Sequence, residues 1–228
     1  MKERPIIFTA DSVRAILDGR KTQTRRLVKL PKWMERKGGE LERAWADKLW
    51  GVTPGLHVPC SEDGTQQRLY PPYEIGDRLW VRERFAHIYD VYPFGEGDPS
   101  HIEYYADGDP TRFPGEWPPE TVDDPERPRW KSPFFLKRAH SRIDLEITSL
   151  RVERLRDITE ADARAEGMQF HDGGGVGHSG WRHDVNYGVV CGNARSAFAT
   201  AWDKINGKRA TWSSSPWVWV IEFKRVRP

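Results

Sequence analysis

The pattern of apolar and polar positions opens with Ile6-Ile7-Phe8, a short apolar strand ended by Thr9-Ala10-Asp11. Val13, Ile16 and Leu17 then recur at helical spacing, with Thr9 or Asp11 placed to cap the helix and Gly19 to terminate it. Thr22 to Val28 reads as a second strand, rich in threonine and alternating with basic residues. A turn at Glu74-Ile75-Gly76-Asp77 launches a strand from Arg78 to Phe85. Ser141 to Arg154 returns to alternation, with Ile143, Leu145 and Ile147 on one face and Asp144, Glu146 and Thr148 on the other. Ile158 to Gly167 is a short helix, capped by Thr159 with Asp162 at the capping-box position and ended by Gly167. Ala194 to Ile205 reads as an amphipathic helix, and Pro216 to Phe223 as a strongly apolar last strand.

Three stretches interrupt this order. From about 31 to 72 the pattern weakens, with Trp33, Trp45 and Trp50 scattered among charges. Residues 90–135 hold nine of the 17 prolines, which excludes a central strand or a long helix and leaves an aromatic-rich loop or a lid. From about 170 to 192 seven glycines predict a flexible loop, and Gly173 to His178 lacks the Gly-Lys-Ser/Thr of a phosphate-binding loop. The order β-α-β-(insert)-β-(insert)-β-α-(loop)-α-β predicts an α+β protein. We expect a small mixed barrel with helices at its openings, formed by one domain over 1–228, without the strand–helix alternation of a doubly wound fold.

Composition changes this picture only in part. Apolar residues make up 37% and charged residues 31%, so the polar insertions are substantial, while 11 Trp, 9 Phe and 7 Tyr can build a dense core. The net charge of +2 does not argue for nucleic acid, but its distribution is uneven. Residues 2–37 hold eleven Lys/Arg against four acids, and residues 90–127 hold eleven acids against two arginines. Either the basic end faces phosphates or it folds against the acidic segment. Cys60 and Cys191 stand alone, which suits reduced thiols in a cytoplasmic protein, and no apolar run approaches the roughly 18 residues of a membrane span. His171, His178 and His183 are irregularly spaced and no paired cysteines occur, so no metal site and no cofactor are expected. A Gly-x-Ser-x-Gly elbow is also absent from the sequence.

Four stretches together resemble the ASCH family, a branch of the PUA-like barrels. They are Ile16-Leu17-Asp18-Gly19-Arg20-Lys21-Thr22-Gln23-Thr24-Arg25, Ile75-Gly76-Asp77-Arg78-Leu79-Trp80-Val81, the helix Ile158 to Met168, and Val218-Trp219-Val220-Ile221-Glu222-Phe223. They cover about a third of the chain, and the long form with Trp80-Val81-Arg82-Glu83 looks like phage and environmental members. The resemblance implies a PUA-like barrel. Short bacterial members include amidohydrolases that remove the acyl group from N4-acetylcytidine, and their catalytic Lys, Thr and Glu fall on Lys21, Thr24 and Glu166. Other members are RNA-binding proteins or ribonucleases, so an RNA- or modified-base-binding module and a ribonuclease stand as alternatives.

The chemistry makes structural demands. A threonine hydroxyl needs a base, and Lys21 can serve only if burial or the neighbouring Arg20, Arg25 and Arg26 lower its pKa. A carboxylate close to Lys21, such as Glu166, opposes that drop. Lys21 and Thr24 are three apart and fall on opposite faces of a regular strand, so an irregularity is expected near Arg20–Thr22. The plainer reading has a solvated lysine, a strand-forming threonine and an exposed glutamate near a helix C-terminus. Arg20, Arg26, Trp80, Arg82 and Glu83 are the candidate substrate-binding residues for a nucleoside or modified cytosine, with RNA as the other partner. Strand alternation separates Trp80 and Arg82 from Glu83. Ile6 and Ile7 offer no stacking surface, so loops would supply any other aromatic wall. The acidic insert reads as a cap that repels large polyanions and favours free nucleosides.

Overall fold

Local capping sets the first turn of the chain. The Thr9 hydroxyl accepts the Ser12 amide and starts helix α1 (Ala10–Leu17) directly after strand β1 (Glu3–Ile7). Gly19, at φ +74°, then reverses the chain toward β2 (Gln23–Leu27). The computed structural model describes residues 1–29, 45–46, 56–59, 66–88, 101–108, 130–172, 179–183 and 190–226.

The remaining elements follow in order. Strands β3 (Trp45–Ala46), β4 (Leu56–Pro59) and β5 (Gln66–Leu69) pair as a separate antiparallel sheet inside the first interrupted stretch. Then come β6 (Arg78–Arg82), β7 (Phe85–Ile88) and β8 (His101–Tyr104), the last two pairing with each other. They are followed by β9 (Asp144–Arg154), helix α2 (Glu160–Ala165), β10 (Gln169–His171), β11 (Gly180–Arg182), helix α3 (Ala194–Asn206) and β12 (Trp217–Arg225).

The central sheet has the order β1-β6-β9-β12-β2, with β1 parallel to β6 and every other pair antiparallel. Strands β1 and β2 are neighbours in sequence yet occupy opposite edges. The Arg26 guanidinium on β2 nevertheless donates to the Ile7 carbonyl on β1 at 2.7 Å, so the sheet curls until one side chain spans its two edges. Among the described residues no backbone ladder joins β1 to β2. The molecule is therefore α+β with a curled five-stranded sheet, and the expected closure into a barrel is absent from the described pairings.

Strand β12 explains why the core divides in two. Its alternation sends Ile221 and Phe223 to a cluster with Phe8, Val13, Ile16, Leu79 and Leu145. Val218 and Val220 pack on the other side with Phe198 and Trp202 of α3 and with Met168. Each such fully buried aliphatic or aromatic side chain contributes about 1.5–3 kcal/mol. Both clusters abut the corner where α1 and α2 end.

Two sequence expectations are corrected by this fold. The strand expected from Arg78 to Phe85 divides at Glu83-Arg84, where Glu83 is buried and turns to a bidentate pair with Arg142 (2.9 and 3.0 Å). The glycine-rich stretch is not uniformly loop. Strands β10 and β11 pair within it, Phe170 packs on Trp181, and Trp181 exchanges backbone hydrogen bonds with Cys191. The run Gly173–His178, Cys60 and most of the acidic insert lie outside the described residues. Among the described residues no helix is long and apolar enough to cross a membrane.

Candidate active site

Lys21 stands just before β2 rather than within it. It forms an isolated bridge with Glu166, and its amide donates to the Ala15 carbonyl at the end of α1. Thr22 donates to Ala165 at the end of α2 and accepts from Phe223, where the pairing of β12 with β9 shifts register. Regular pairing with β12 starts only at Gln23. The irregularity anticipated around Arg20–Thr22 is thus present, and it lets Lys21 and Thr24 line the same cleft.

All three candidate catalytic residues are buried, with exposures of 5% for Lys21, 5% for Thr24 and 3% for Glu166. That burial departs from the plain reading of a solvated lysine and an exposed glutamate. The Lys21 ammonium donates to the Glu166 backbone carbonyl at 2.8 Å and to its carboxylate Oε2 at 2.6 Å. The other carboxylate oxygen, Oε1, accepts from Arg25 Nη1 at 3.2 Å. Among the described residues Lys21 makes no hydrogen bond to Thr24.

Burial is the strongest influence on Lys21 and pulls its pKa below the ordinary lysine value. The Glu166 charge and hydrogen bond oppose that pull, while Arg26 and Arg25 reinforce it. Arg25 itself is fully covered and forms ion pairs with Glu153, Asp162 and Glu166. It therefore acts as a clamp holding the Glu166 carboxylate in place. Arg26 is desolvated, and its guanidinium lies 5.1 Å from the centre of the Phe8 ring. The Lys21 ammonium sits 5.8 Å from the same ring centre. Phe8, one residue beyond β1, is thus a buried aromatic ring that lines the cleft beside both cations.

Gly167 fits this corner for two reasons. Its φ is +99°, and a Cβ there would stand 3.0 Å from the Ala15 Cβ and 3.4 Å from the Lys21 Cβ. Gly167→Ala is expected to lower stability by roughly 2 kcal/mol through left-handed strain and displacement of Lys21. Thermal unfolding of the two proteins checks this, and an unchanged midpoint would mean that the corner yields easily.

The cleft above the corner measures about 2000 Å³. Of the candidate substrate-binding residues only Arg26 lines it. Arg20 turns instead to Asp18 and the Gly167 carbonyl. Trp80 is buried, Arg82 stacks on it at 4.6 Å, and Glu83 is held by Arg142, so this group does not join Lys21, Thr24 and Glu166. Arg82 and Glu83 are engaged with Trp80 and with Arg142, and none of the three lines the cleft, although β6 pairs with β1 and Arg26 reaches β1. The cleft is also lined by Arg154, Arg156, Arg195 and Arg209, together with Tyr70, Tyr73 and the buried Trp219. Sequence reasoning missed the arginines because charged side chains on a strand end, a helix and turns look like ordinary solvated surface. The Thr159–Asp162 capping box was a usable clue to Arg25, since Asp162 both caps α2 and pairs with that arginine.

Comparison of the chain with protein-family models, with curated proteins and with solved structures finds no match.

Proposed function

We propose that the protein is a metal-independent amidohydrolase that removes the N4-acyl group from N4-acylcytidine-type nucleosides, with its curled sheet a PUA-like barrel of the ASCH type. The observation that carries this reading is the buried Lys21–Glu166 pair on the floor of a cleft that Thr24 also lines. A neutral lysine amine has two hydrogens. The backbone carbonyl and the carboxylate of Glu166 take both, which leaves the lone pair to accept a proton. In the reaction the Thr24 oxygen attacks the acyl carbon as Lys21 takes its proton. The bond from that carbon to N4 breaks, the Lys21 proton passes to the departing amine, and cytidine leaves. Water then hydrolyses the Thr24 ester, releasing the carboxylic acid.

Release of cytidine from N4-acetylcytidine, followed by chromatography, tests the reading with wild type and with Lys21→Ala, Thr24→Ala and Glu166→Ala. Turnover by wild type and its loss in all three variants is expected. Activity that survives in all of them removes the mechanism.

A second reading, a non-enzymatic RNA- or modified-base-binding module, is favoured by one observation. The Lys21 ammonium directs both of its hydrogen bonds to Glu166 and none to Thr24, as a purely structural pair would. Under that reading the wild-type protein binds a base-containing ligand and turns over no nucleoside.

A further inference from the structure

When the Thr24 oxygen adds to an acyl group, the carbonyl oxygen gains a negative charge and needs a hydrogen-bond donor. The backbone amides around Lys21 are already committed: Gly19 donates to Ile16, Lys21 to Ala15 and Thr22 to Ala165. Arg25 lines the cleft, but Glu153, Asp162 and Glu166 hold its guanidinium.

Ser12 is a donor that remains open. It is 6% exposed and lines the same cleft as Lys21 and Thr24. Its backbone amide donates to the Thr9 hydroxyl, and that hydroxyl in turn donates to Ser12 Oγ at 3.2 Å. The hydroxyl hydrogen of Ser12 itself has no acceptor among the described residues. Ser141, also buried, behaves differently, since its hydroxyl reaches the Val81 and Ile143 carbonyls at 2.9 and 3.3 Å. A buried donor without a protein acceptor is costly unless water, or a ligand that displaces the water, completes it.

Helix α1 sets the position of this hydroxyl. Ser12 and Ala15 are three residues apart and share a face of the helix. Ala15 meets the Lys21 corner directly: its carbonyl accepts the Lys21 amide at 2.9 Å, and a Cβ on Gly167 would stand 3.0 Å from its own Cβ. Ser12 therefore lies one turn from that corner, toward the start of α1. Phe8, whose ring centre is 5.8 Å from the Lys21 ammonium, directly precedes the Thr9 cap. Two further effects favour negative charge on an oxygen held by Ser12. The positive end of the helix dipole lies there, and donation from Thr9 polarises the Ser12 hydroxyl. Asp11 in the same turn is neutralised by Arg14 at 2.9 Å.

We infer that the Ser12 hydroxyl is a catalytic donor to the acyl oxygen, an assignment that rests on the proposed amidohydrolase reading. As the Thr24 oxygen bonds to the acyl carbon and its proton passes to Lys21, the carbonyl electron pair moves onto the oxygen facing Ser12. When the bond from carbon to N4 breaks, that pair returns to re-form the carbonyl. Ser12 keeps its proton throughout. Arg26 also lines the cleft, but its charge acts on Lys21 before any substrate arrives. The neutral Ser12 hydroxyl has no such effect.

The test is steady-state hydrolysis of N4-acetylcytidine over a range of pH by full-length wild type, Ser12→Ala and Ser12→Thr. Ser12→Ala is expected to unfold at the wild-type temperature, because the bond to the Thr9 cap comes from a backbone amide that alanine retains. Its kcat is expected to fall about 100- to 1000-fold with KM little changed, the signature of a contact made only in the transition state. The pH limb should stay in place, and Ser12→Thr, which keeps a hydroxyl, should recover most of the loss. A wild-type kcat in Ser12→Ala, a loss in KM alone or a shifted limb would overturn the inference. So would a Ser12→Thr enzyme no more active than Ser12→Ala, which would assign the loss to packing. Turnover by wild type with an unimpaired Ser12→Ala enzyme removes the Ser12 role and leaves the amidohydrolase standing. No turnover by wild type removes both.

Discussion

Glu166→Ala is expected to lower the free energy of unfolding by about 3–5 kcal/mol, the cost of leaving a buried charge without its partner. Both side chains of the pair are only 4% exposed, so solvent screening offers little relief. Without the carboxylate, the Lys21 ammonium keeps only the backbone carbonyl of residue 166 as an acceptor. Arg25 is affected less because it still has Glu153 and Asp162. The cost is bounded, since Lys21 can give up its proton. Its folded pKa lies below its unfolded value, so the unfolded chain binds more protons between the two values. Stability therefore rises with pH across that window, and the penalty in Glu166→Ala shrinks as the solution becomes more alkaline. Lys21→Met should cost less, because Glu166 keeps Arg25 at 3.2 Å. Urea titrations at two pH values measure all of this. A loss under about 1 kcal/mol for Glu166→Ala, within the range of an exposed ion pair, would mean that the pair is solvated.

The same corner shows which features the sequence makes legible. Caps are local: the Thr9–Ser12 contact and the reciprocal Thr159–Asp162 box lie within three residues, and both are read from residue type and spacing. Alternation in β9 is equally local, and Leu145 and Ile147 lie in the core as expected. Strand order is not local. Nothing near Gln23 indicates that β2 lies beside β12 at the opposite edge from β1, and nothing near Trp80 indicates that Trp80 and Arg82 do not line the cleft that Lys21 lines. Charge pairing is the least legible of all. Arg25 meets Glu153 across 128 residues of sequence and Glu166 across 141, and these contacts make it a clamp rather than one more cation acting on Lys21. The irregularity at Arg20–Thr22 follows from a conflict between period and chemistry, not from any propensity. Glu166 could not be placed from helix rules, which put it on an exposed helix end. The Lys21 bridge buries it there.

If Lys21 is the base, kcat/KM for N4-acetylcytidine should rise with pH along a limb centred below the ordinary lysine value of about 10.4. The sign follows from its role, since only the neutral amine can accept the Thr24 proton. Below the folded pKa the ammonium dominates and the rate falls tenfold per pH unit. Burial sets the direction of the shift, and the Arg26 charge adds to it. Arg26→Met should therefore move the limb to higher pH, an effect that a merely structural role for Arg26 would not produce. Lys21→Ala and Thr24→Ala should each reduce kcat/KM by about 100- to 10,000-fold. Lys21→Arg is the sharper variant. It keeps a cation opposite Glu166, so the fold should persist, but a guanidinium cannot deprotonate in this range. It should be inactive at every pH. Activity retained by Lys21→Arg, or a flat profile up to the alkaline limit of the folded protein, would exclude lysine as the base and leave the Lys21–Glu166 pair as a structural element beneath the cleft.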